Sequence, residues 1–311
     1  MADIELFFAT PKPLWYLCTL GVGFVVSALW FFIRARKEKA PAAAMAALVL
    51  SLVLGGLFAR LLYLLVEVGE LPFVAEAFLH PEDVREFSFS GAILGVVLAA
   101  WLAEKGFGAK GLMNALAAPG LLMISIARLA ECFVPFGTGQ YLNGGFMQFF
   151  PLAMPDGYGE WMLSVWLLEA LWALGSLWYV VKRKNAPSKV DMLLAITLYH
   201  GGQVYLESLR AESLSYGFIK IAQLFAAFVL FFVLLRCAKA GQKKGMGKRM
   251  LAYIVCVLLY IAAEFALDRL TWPNYIVRLM MVPLTIAVLY IVLDAVFAVE
   301  RQRLASGKEM E

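Results

Sequence analysis

The sequence predicts an all-α polytopic membrane protein with about nine transmembrane helices, and two observations carry this prediction. The 311 residues are 62% hydrophobic and only 16% charged, which is typical of chains that cross a membrane several times. Basic residues also alternate between successive connections, as they do in multi-pass proteins. The small net charge of +4 is divided among these connections, so nucleic-acid binding is not expected.

About 20 consecutive apolar residues cross a bilayer, and this length predicts nine transmembrane segments. They cover residues 14–33, 42–68, 88–104, 112–134, 159–181, 191–209, 216–236, 250–267 and 275–298. The N-terminus has no positive region ahead of an apolar core, so we expect the first segment itself to drive insertion rather than a cleavable signal peptide.

Most of the 27 Lys and Arg residues lie in the connections after the first, third, fifth, seventh and ninth segments. The positive-inside rule places these connections in the cytoplasm, with the N-terminus outside and the C-terminus cytoplasmic. The two long connections, 69–87 and 135–158, are then external. The first is acidic. The second has many aromatic residues and no Lys or Arg, which suits a loop at the lipid headgroups or an ordinary external loop.

The four cysteines are isolated in or beside apolar segments, without CxxC spacing, and the chain has only two histidines. This pattern predicts no disulfide framework, no metal site and no cofactor.

Polar side chains interrupt the sixth segment at regular intervals. Tyr199, Gln203, Glu207 and Arg210 are spaced i, i+4, i+8 and i+11, so a helix would carry them on one face. An ionisable group at bilayer depth costs roughly several kcal/mol unless it faces protein or water. The stripe therefore predicts either a functional site or a helix-packing seam.

Other polar residues fall at the same predicted depth. Segments two and four also run outward, and each carries polar residues near its outer end, while the third segment opens there; the residues are Arg60, Tyr63, Arg128, Glu131, Ser90 and Gly91. Agreement in depth predicts a cavity that faces the outer leaflet. It disfavours a transporter, whose polar residues would follow a path through the bilayer.

Each charged pair also has a purely structural interpretation. Arg60 can reach the outer interface beside a carboxylate partner such as Glu67. Arg128 and Glu131 are three residues apart and can form an intrahelical ion pair. Glu207 and Arg210 have the same spacing and the same alternative.

The single polar residues have structural interpretations too. Glu169 and Glu264 can each hydrogen-bond a neighbouring helix. His200 lies about 100° from the stripe of the sixth segment and suits a packed side chain better than a base.

Four stretches resemble, in order, the bacterial prolipoprotein diacylglyceryl transferase family across residues 14–238. LVLGGLFARLLYLL (52–65) resembles its Gly-rich segment, FSFSGAILGVVLA (87–99) its SFHGGLxG segment, ISIARLAECF (124–133) its GRxGNF signature, and YHGGQVYLESLR (199–210) its YGxxRFxxExxR helix. A weaker match sets WLLEAL, which contains Glu169, against QLYEAL. Since family members have seven spans, the resemblance implies a seven-span domain over 1–238 and an extension over 239–311 with two further transmembrane helices.

The resemblance implies an enzyme that moves a diacylglyceryl group from phosphatidylglycerol to the lipobox cysteine of a preprolipoprotein. The reaction takes place at the outer leaflet of the bacterial cytoplasmic membrane. For such a reaction we expect the catalytic residues to be Arg128 for the phosphate, Glu131 or Glu207 for the thiol proton, and Tyr199. The expected substrate-binding residues are Arg60, Tyr63, Ser90, Gly91, Gln203, Arg210 and Glu169.

Three positions depart from the family pattern. Ser90 replaces a His, Gln203 replaces an Arg, and Glu131 replaces an Asn. The carboxylate of Glu131 would offset the charge of Arg128 and disfavour an anionic headgroup. The alternative hypothesis is therefore an altered or inactive member that serves as a lipid-binding or membrane-assembly protein.

Overall fold

The computed structural model describes residues 11–67, 78–80, 86–134, 137–142, 147–156, 158–183, 190–240, 245–269 and 274–306. The N-terminal segment through residue 10 and most of the acidic connection after the second helix, including Glu70, Glu76, Glu82 and Asp83, lie outside these residues. The expectations for those parts of the chain therefore stay predictions.

The described residues contain nine long helices. They are α1 Pro13–Lys37, α2 Pro41–Glu67, α3 Phe89–Gly106, α4 Leu112–Ala130, α5 Val165–Lys182, α6 Asp191–Leu206, α7 Ile221–Lys239, α8 Met246–Arg269 and α9 Asn274–Ser306. Eight are long and apolar enough to cross a membrane; α6, with 16 residues, is shorter. This confirms the prediction of a helical, multi-pass membrane protein.

Two segments begin later than the sequence predicted. The fifth, expected from 159, starts as a strand at Trp161–Ser164 and becomes helical at Val165. The seventh, expected from 216, starts with a short hairpin of two antiparallel strands, Ser215–Tyr216 and Ile219–Lys220, before the helix begins at Ile221. Apolar residues at these positions pair as strands instead of extending the helices, a distinction that hydrophobicity alone does not make.

The chain divides into two compact units. The first comprises Met1–Leu177 with Arg210–Leu214, and the second comprises Trp178–Leu209 with Ser215–Glu311. The two C-terminal helices thus belong to the same unit as α6 and α7. The predicted domain boundary at residue 238 stays a prediction.

In the first unit, α1 packs against α4 and α2 packs against α3. The second contact is close because glycines of α3 lie directly on the backbone of α2. A Cβ at Gly91 would collide with the carbonyl oxygen of Phe58, and one at Gly95 would collide with that of Leu54. Such small residues let transmembrane helices approach each other closely.

We expect Gly95→Ala to lower the free energy of unfolding by about 1–3 kcal/mol, because the added methyl group must push α2 away. The measurement is denaturation of the purified protein in mixed micelles. Gly56→Ala is the matched control, since a Cβ at Gly56 has nothing within 4 Å. Equal stability of the two variants would contradict the packing argument.

The second long connection forms part of a small sheet. Strand β1 (Thr138–Tyr141) and strand β2 (Ala153–Pro155) both pair antiparallel with β3 (Trp161–Ser164), which lies between them. Desolvation raises the pKa of the Asp156 carboxyl in this connection. Hydrogen bonds from the backbone N–H groups of Glu160 and Tyr158 outweigh this effect, so the pKa is lowered. The connection 135–158, predicted as an external loop, thus contains the strands β1 and β2, and its position relative to the membrane stays a prediction.

The second unit has its own apolar core. Helices α6, α7, α8 and α9 pack around buried aliphatic side chains that include Leu230, Leu234, Met281 and Val292. Gly201 of α6 faces Leu289 of α9, and a Cβ there would overlap that leucine. The C-terminal helices are thus an integral part of this unit.

Candidate functional site

Four ionisable side chains of the first unit form a buried charge cluster, defined by Arg128, Glu131, Glu169 and Arg210. They come from the end of α4, the 3-10 turn after it, the start of α5 and the residue after the turn Glu207–Leu209. All four are buried, with exposed fractions of 4%, 6%, 0% and 8%. The cluster joins residues that lie far apart in the chain. Glu131 and Arg210, whose side chains are hydrogen-bonded, are 79 residues apart.

Arg128 contacts both acids of the charge cluster. Its Nη1 donates to Oε1 of Glu131 at 2.5 Å, and its Nε lies 3.3 Å from Oε2 of Glu169. The guanidinium carbon also lies 4.0 Å from the centre of the Phe89 ring, at the start of α3. The predicted ion pair of Arg128 with Glu131 is confirmed, and it is part of a larger network.

Arg210 completes the charge cluster from the other side. Its Nη2 donates to Oε2 of Glu131 at 2.6 Å and also to Glu169, whose Oε1 accepts a further hydrogen bond from Nε at 3.1 Å. The expectation that Arg210 continues the helical stripe is wrong. Helix α6 ends at Leu206, a 3-10 turn follows, and Arg210 forms a bridge with Gly139. This strand-like pairing carries its side chain to the two acids.

Glu169 lies nearer the N-terminal end of its helix than the sequence predicts. The predicted fifth segment begins at residue 159, but α5 begins at Val165 because the strand β3 precedes it, so Glu169 is the fifth residue of the helix. Its carboxylate contacts both arginines and is fully buried. Glu169 is thus a central member of the charge cluster, with more contacts than the single hydrogen bond to a neighbouring helix that the structural interpretation proposed.

The charge cluster is balanced, with two cations and two anions. Taking ions out of water costs several kcal/mol each, and the attraction between them offsets this only when each is well paired. The shared carboxylate of Glu131 contacts both arginines, so any change in its charge or position alters the field at both. In this arrangement the guanidinium groups can bind an anion, and the carboxylate beside them can accept a proton.

Arg60 forms a second ion pair in the first unit. Its Nη1 donates to Oε2 of Glu86 at 2.7 Å and to the Glu86 carbonyl at 3.0 Å. The rings of Tyr63 and Phe87 lie 5.5 and 5.6 Å from the guanidinium carbon. The carboxylate partner of Arg60 is therefore Glu86 and not Glu67, and the position of the pair relative to the membrane interface stays a prediction.

Ser90 and Gly91 lie in the first turn of α3. Ser88 caps this helix by accepting a hydrogen bond from the Gly91 N–H at 3.3 Å. Ser90 is half-buried, and Gly91 contacts the backbone of α2. Ser90 thus places a hydroxyl one residue from Phe89, whose ring contacts Arg128.

Three predicted residues belong to the second unit and are described within it. Tyr199, Gln203 and Glu207 are all buried, and the Gln203 amide donates to Oε2 of Glu207 at 2.9 Å. The backbone carbonyl of Glu207 accepts a hydrogen bond from Nζ of Lys220 at 2.8 Å. The hydrogen bond between Gln203 and Glu207 joins two members of the predicted stripe, although Glu207 lies in the 3-10 turn that follows α6.

The two remaining single residues have structural surroundings. His200 lies edge-on between Tyr199 and Phe225, at ring distances of 5.2 and 5.6 Å. Glu264 accepts a hydrogen bond from Gln223 of α7 at 2.6 Å. Both expectations, a packed histidine and an acid bonded to a neighbouring helix, are confirmed.

The roles of some residues that contact the buried arginines and acids were not predicted from the sequence. Gly137 passes so close to Glu131 that a Cβ there would lie 2.6 Å from its carboxylate. Phe89 and Glu86 contact Arg128 and Arg60, respectively. Phe89 lies inside the FSFSGAILG stretch, and its position in this motif could have indicated that it lies near the site. Gly137 had no such signal because its role depends on tertiary packing.

The helices and the buried charge cluster define a polytopic membrane protein with a buried ionic site. The model of the prolipoprotein diacylglyceryl transferase family matches residues 7–237. A phosphatidylglycerol--prolipoprotein diacylglyceryl transferase of Gloeobacter violaceus is 31% identical over 245 residues, covering 71% of this chain and 90% of that relative. One of Clostridium kluyveri is 32% identical over 145 residues, covering 43% of this chain and 53% of the relative.

The chain belongs to the prolipoprotein diacylglyceryl transferase family. It is therefore a membrane-embedded lipid transferase, as the motif resemblance implied. The family match ends at residue 237, before α8 and α9 begin.

Proposed function

We propose that the protein transfers a diacylglyceryl group from phosphatidylglycerol to the cysteine thiol of a lipobox-containing prolipoprotein. The observation that carries this proposal is the buried charge cluster formed on the family's motif residues Arg128, Glu169 and Arg210. The names of the Gloeobacter and Clostridium relatives support the same donor and acceptor.

In this reaction the acceptor sulfur attacks a glycerol carbon of the donor. A C–S bond forms, the C–O bond to the phosphate breaks, and glycerol phosphate leaves with the bonding electrons. The phosphate needs cationic hydrogen-bond donors as its charge grows, which guanidinium groups provide well. The thiol needs a proton acceptor, because the thiolate is the nucleophile.

We assign the phosphate to Arg128 and the proton to Glu131. An incoming phosphate competes with the Glu131 carboxylate for Arg128, since both are anions that bind the same guanidinium. Once displaced, the carboxylate stays beside Arg210, 2.6 Å away, and is available to accept the thiol proton. The replacement of the family's Asn by Glu131 is thereby compatible with catalysis.

The other motif residues bind substrate in this proposal. Tyr199 and Gln203 hydrogen-bond the glycerol, with Glu207 as the alternative proton acceptor. Arg60, Tyr63, Ser90 and Gly91 line the lipid cavity. We further propose that the site opens to the outer leaflet of a bacterial cytoplasmic membrane, with the N-terminus outside, as the distribution of basic residues supports.

The test is a turnover assay with purified full-length protein in phosphatidylglycerol vesicles and a lipobox peptide. We expect glycerol phosphate release in proportion to a diacylglyceryl mass increase on the peptide cysteine. A cysteine-to-serine peptide is the control and should give neither product. Well-folded protein that releases no glycerol phosphate, and that also fails to support growth of a transferase-depleted strain, would contradict the proposal.

Glu131→Gln should separate the proton acceptor from the ion-pair role. We expect kcat to fall by about 100-fold at neutral pH, within the range for loss of a general base. The loss should shrink as pH rises toward about 8.5, where the thiol deprotonates by itself. The measurement is kcat against pH, with Glu207→Gln compared in parallel. A pH-dependent loss in Glu207→Gln, and not in Glu131→Gln, would assign the proton to Glu207.

A further inference from the structure

The second unit contains an apolar groove between α6, α7, α8 and α9. The groove is open on one side and contains about 540 Å³ of empty space when that open side is counted. Aliphatic side chains form most of its wall, among them Val204, Leu224, Ala227, Val257, Ile261 and Val288. Two of the four helices lie beyond the part of the chain that the family model matches.

One end of this groove is polar. Gln223 lies in the first turn of α7, and its amide donates to the Val204 carbonyl at 3.1 Å and to Oε1 of Glu264 at 2.6 Å. Glu264 is five residues from the end of α8. Because α8 runs opposite to α7 and α9, the start of α9 lies at this same end. The groove is thus amphipathic along its length.

Two cations lie near the polar end. Glu264 lies within electrostatic reach of both Lys220 and Arg278. Among the described residues, Nε of Arg278 is buried and has no hydrogen-bond acceptor. A buried guanidinium N–H without an acceptor is costly, especially in a membrane segment. An anion at this position would satisfy it.

We propose that this groove binds an anionic phospholipid of the surrounding bilayer, with an acyl chain along the apolar wall and the phosphate at Arg278. The occupant follows from the setting, because the helices span a membrane and phospholipids are the amphipathic molecules around them. The charge follows from Arg278, whose buried Nε has no acceptor among the described residues and would be satisfied by a phosphate oxygen. This site is distinct from the charge cluster of the first unit and does not depend on turnover.

The test is native mass spectrometry of the full-length protein titrated with phosphatidylglycerol or with phosphatidylcholine of the same acyl chains. We expect Arg278→Gln to weaken phosphatidylglycerol binding at one site by about tenfold. Arg269→Gln is the matched control, since Arg269 lies near the same end of α8 but is 69% exposed and paired with Asp268. It should leave binding unchanged.

A second pair of variants tests the acyl-chain wall. Val257→Trp fills the groove and should remove the same lipid, whereas Leu258→Trp, on the outward face of α8 at 59% exposure, should not. The Arg128→Gln variant should still bind this lipid, which separates the site from the proposed catalytic one. Equal binding of both phospholipids, or equal effects within either pair of variants, would overturn the proposal.

Discussion

Replacing Arg128 with glutamine lowers diacylglyceryl transfer by about 100- to 1000-fold, the loss expected when a preorganised donor to a developing negative charge is removed. The glutamine keeps hydrogen-bonding capacity but carries no charge, so it cannot balance the phosphate as glycerol phosphate leaves. It also leaves Glu131 and Glu169 with Arg210 as their remaining cation in the charge cluster. The measurement is kcat/KM for phosphatidylglycerol in vesicles.

Arg36→Gln is the control for this prediction, because Arg36 is an exposed arginine in the last turn of α1. Folding must be checked separately, by elution volume and thermal stability of the purified variant. Arg128→Lys distinguishes charge from geometry, since an ammonium keeps the charge and loses the planar arrangement of donors. A folded Arg128→Gln variant with full activity would remove Arg128 from the proposed mechanism.

Replacing Glu169 with alanine should destabilise the protein by about 3–5 kcal/mol, because it leaves buried positive charge without compensation. Glu169 is 0% exposed and contacts both Arg128 and Arg210. Its removal changes the charge cluster from neutral to net positive in a dry environment. The measurement is the free energy of unfolding in mixed micelles.

Glu160→Ala provides the comparison for Glu169, since Glu160 is an exposed acid in the same part of the chain. We expect it to change stability by less than about 0.5 kcal/mol. The double variant Glu169→Ala with Arg210→Ala should recover part of the loss, because it removes one acid and one base together. A loss in Glu169→Ala no larger than that in Glu160→Ala would show that the network contributes little to stability.

The charge cluster bears directly on whether the departures from the family pattern abolish catalysis. Glu131 does contact Arg128, as its position in the sequence suggested, but Arg210 shares the same carboxylate. The second arginine compensates the extra negative charge, so the cluster stays neutral. The alternative of an inactive lipid-binding member finds no support in the relatives, which are named as transferases.

The sequence by itself determined the helical class, the approximate position of all nine helices and the i, i+3 contact of Arg128 with Glu131. These features depend on local properties, namely the length of apolar runs and the spacing of side chains on one helix. Family membership was also readable from the sequence, because it is carried by short motifs in a fixed order.

Tertiary structure alone decided the partners of the other buried charges. Arg60 pairs with Glu86 instead of an acid on its own helix, and Arg210 leaves the helical stripe to reach Glu131 and Glu169. Spacing along one helix cannot predict either contact, since each joins residues far apart in the chain. Burial is the physical reason, because a charge inside a membrane requires a counter-charge. Only the packed fold determines which counter-charge lies within reach.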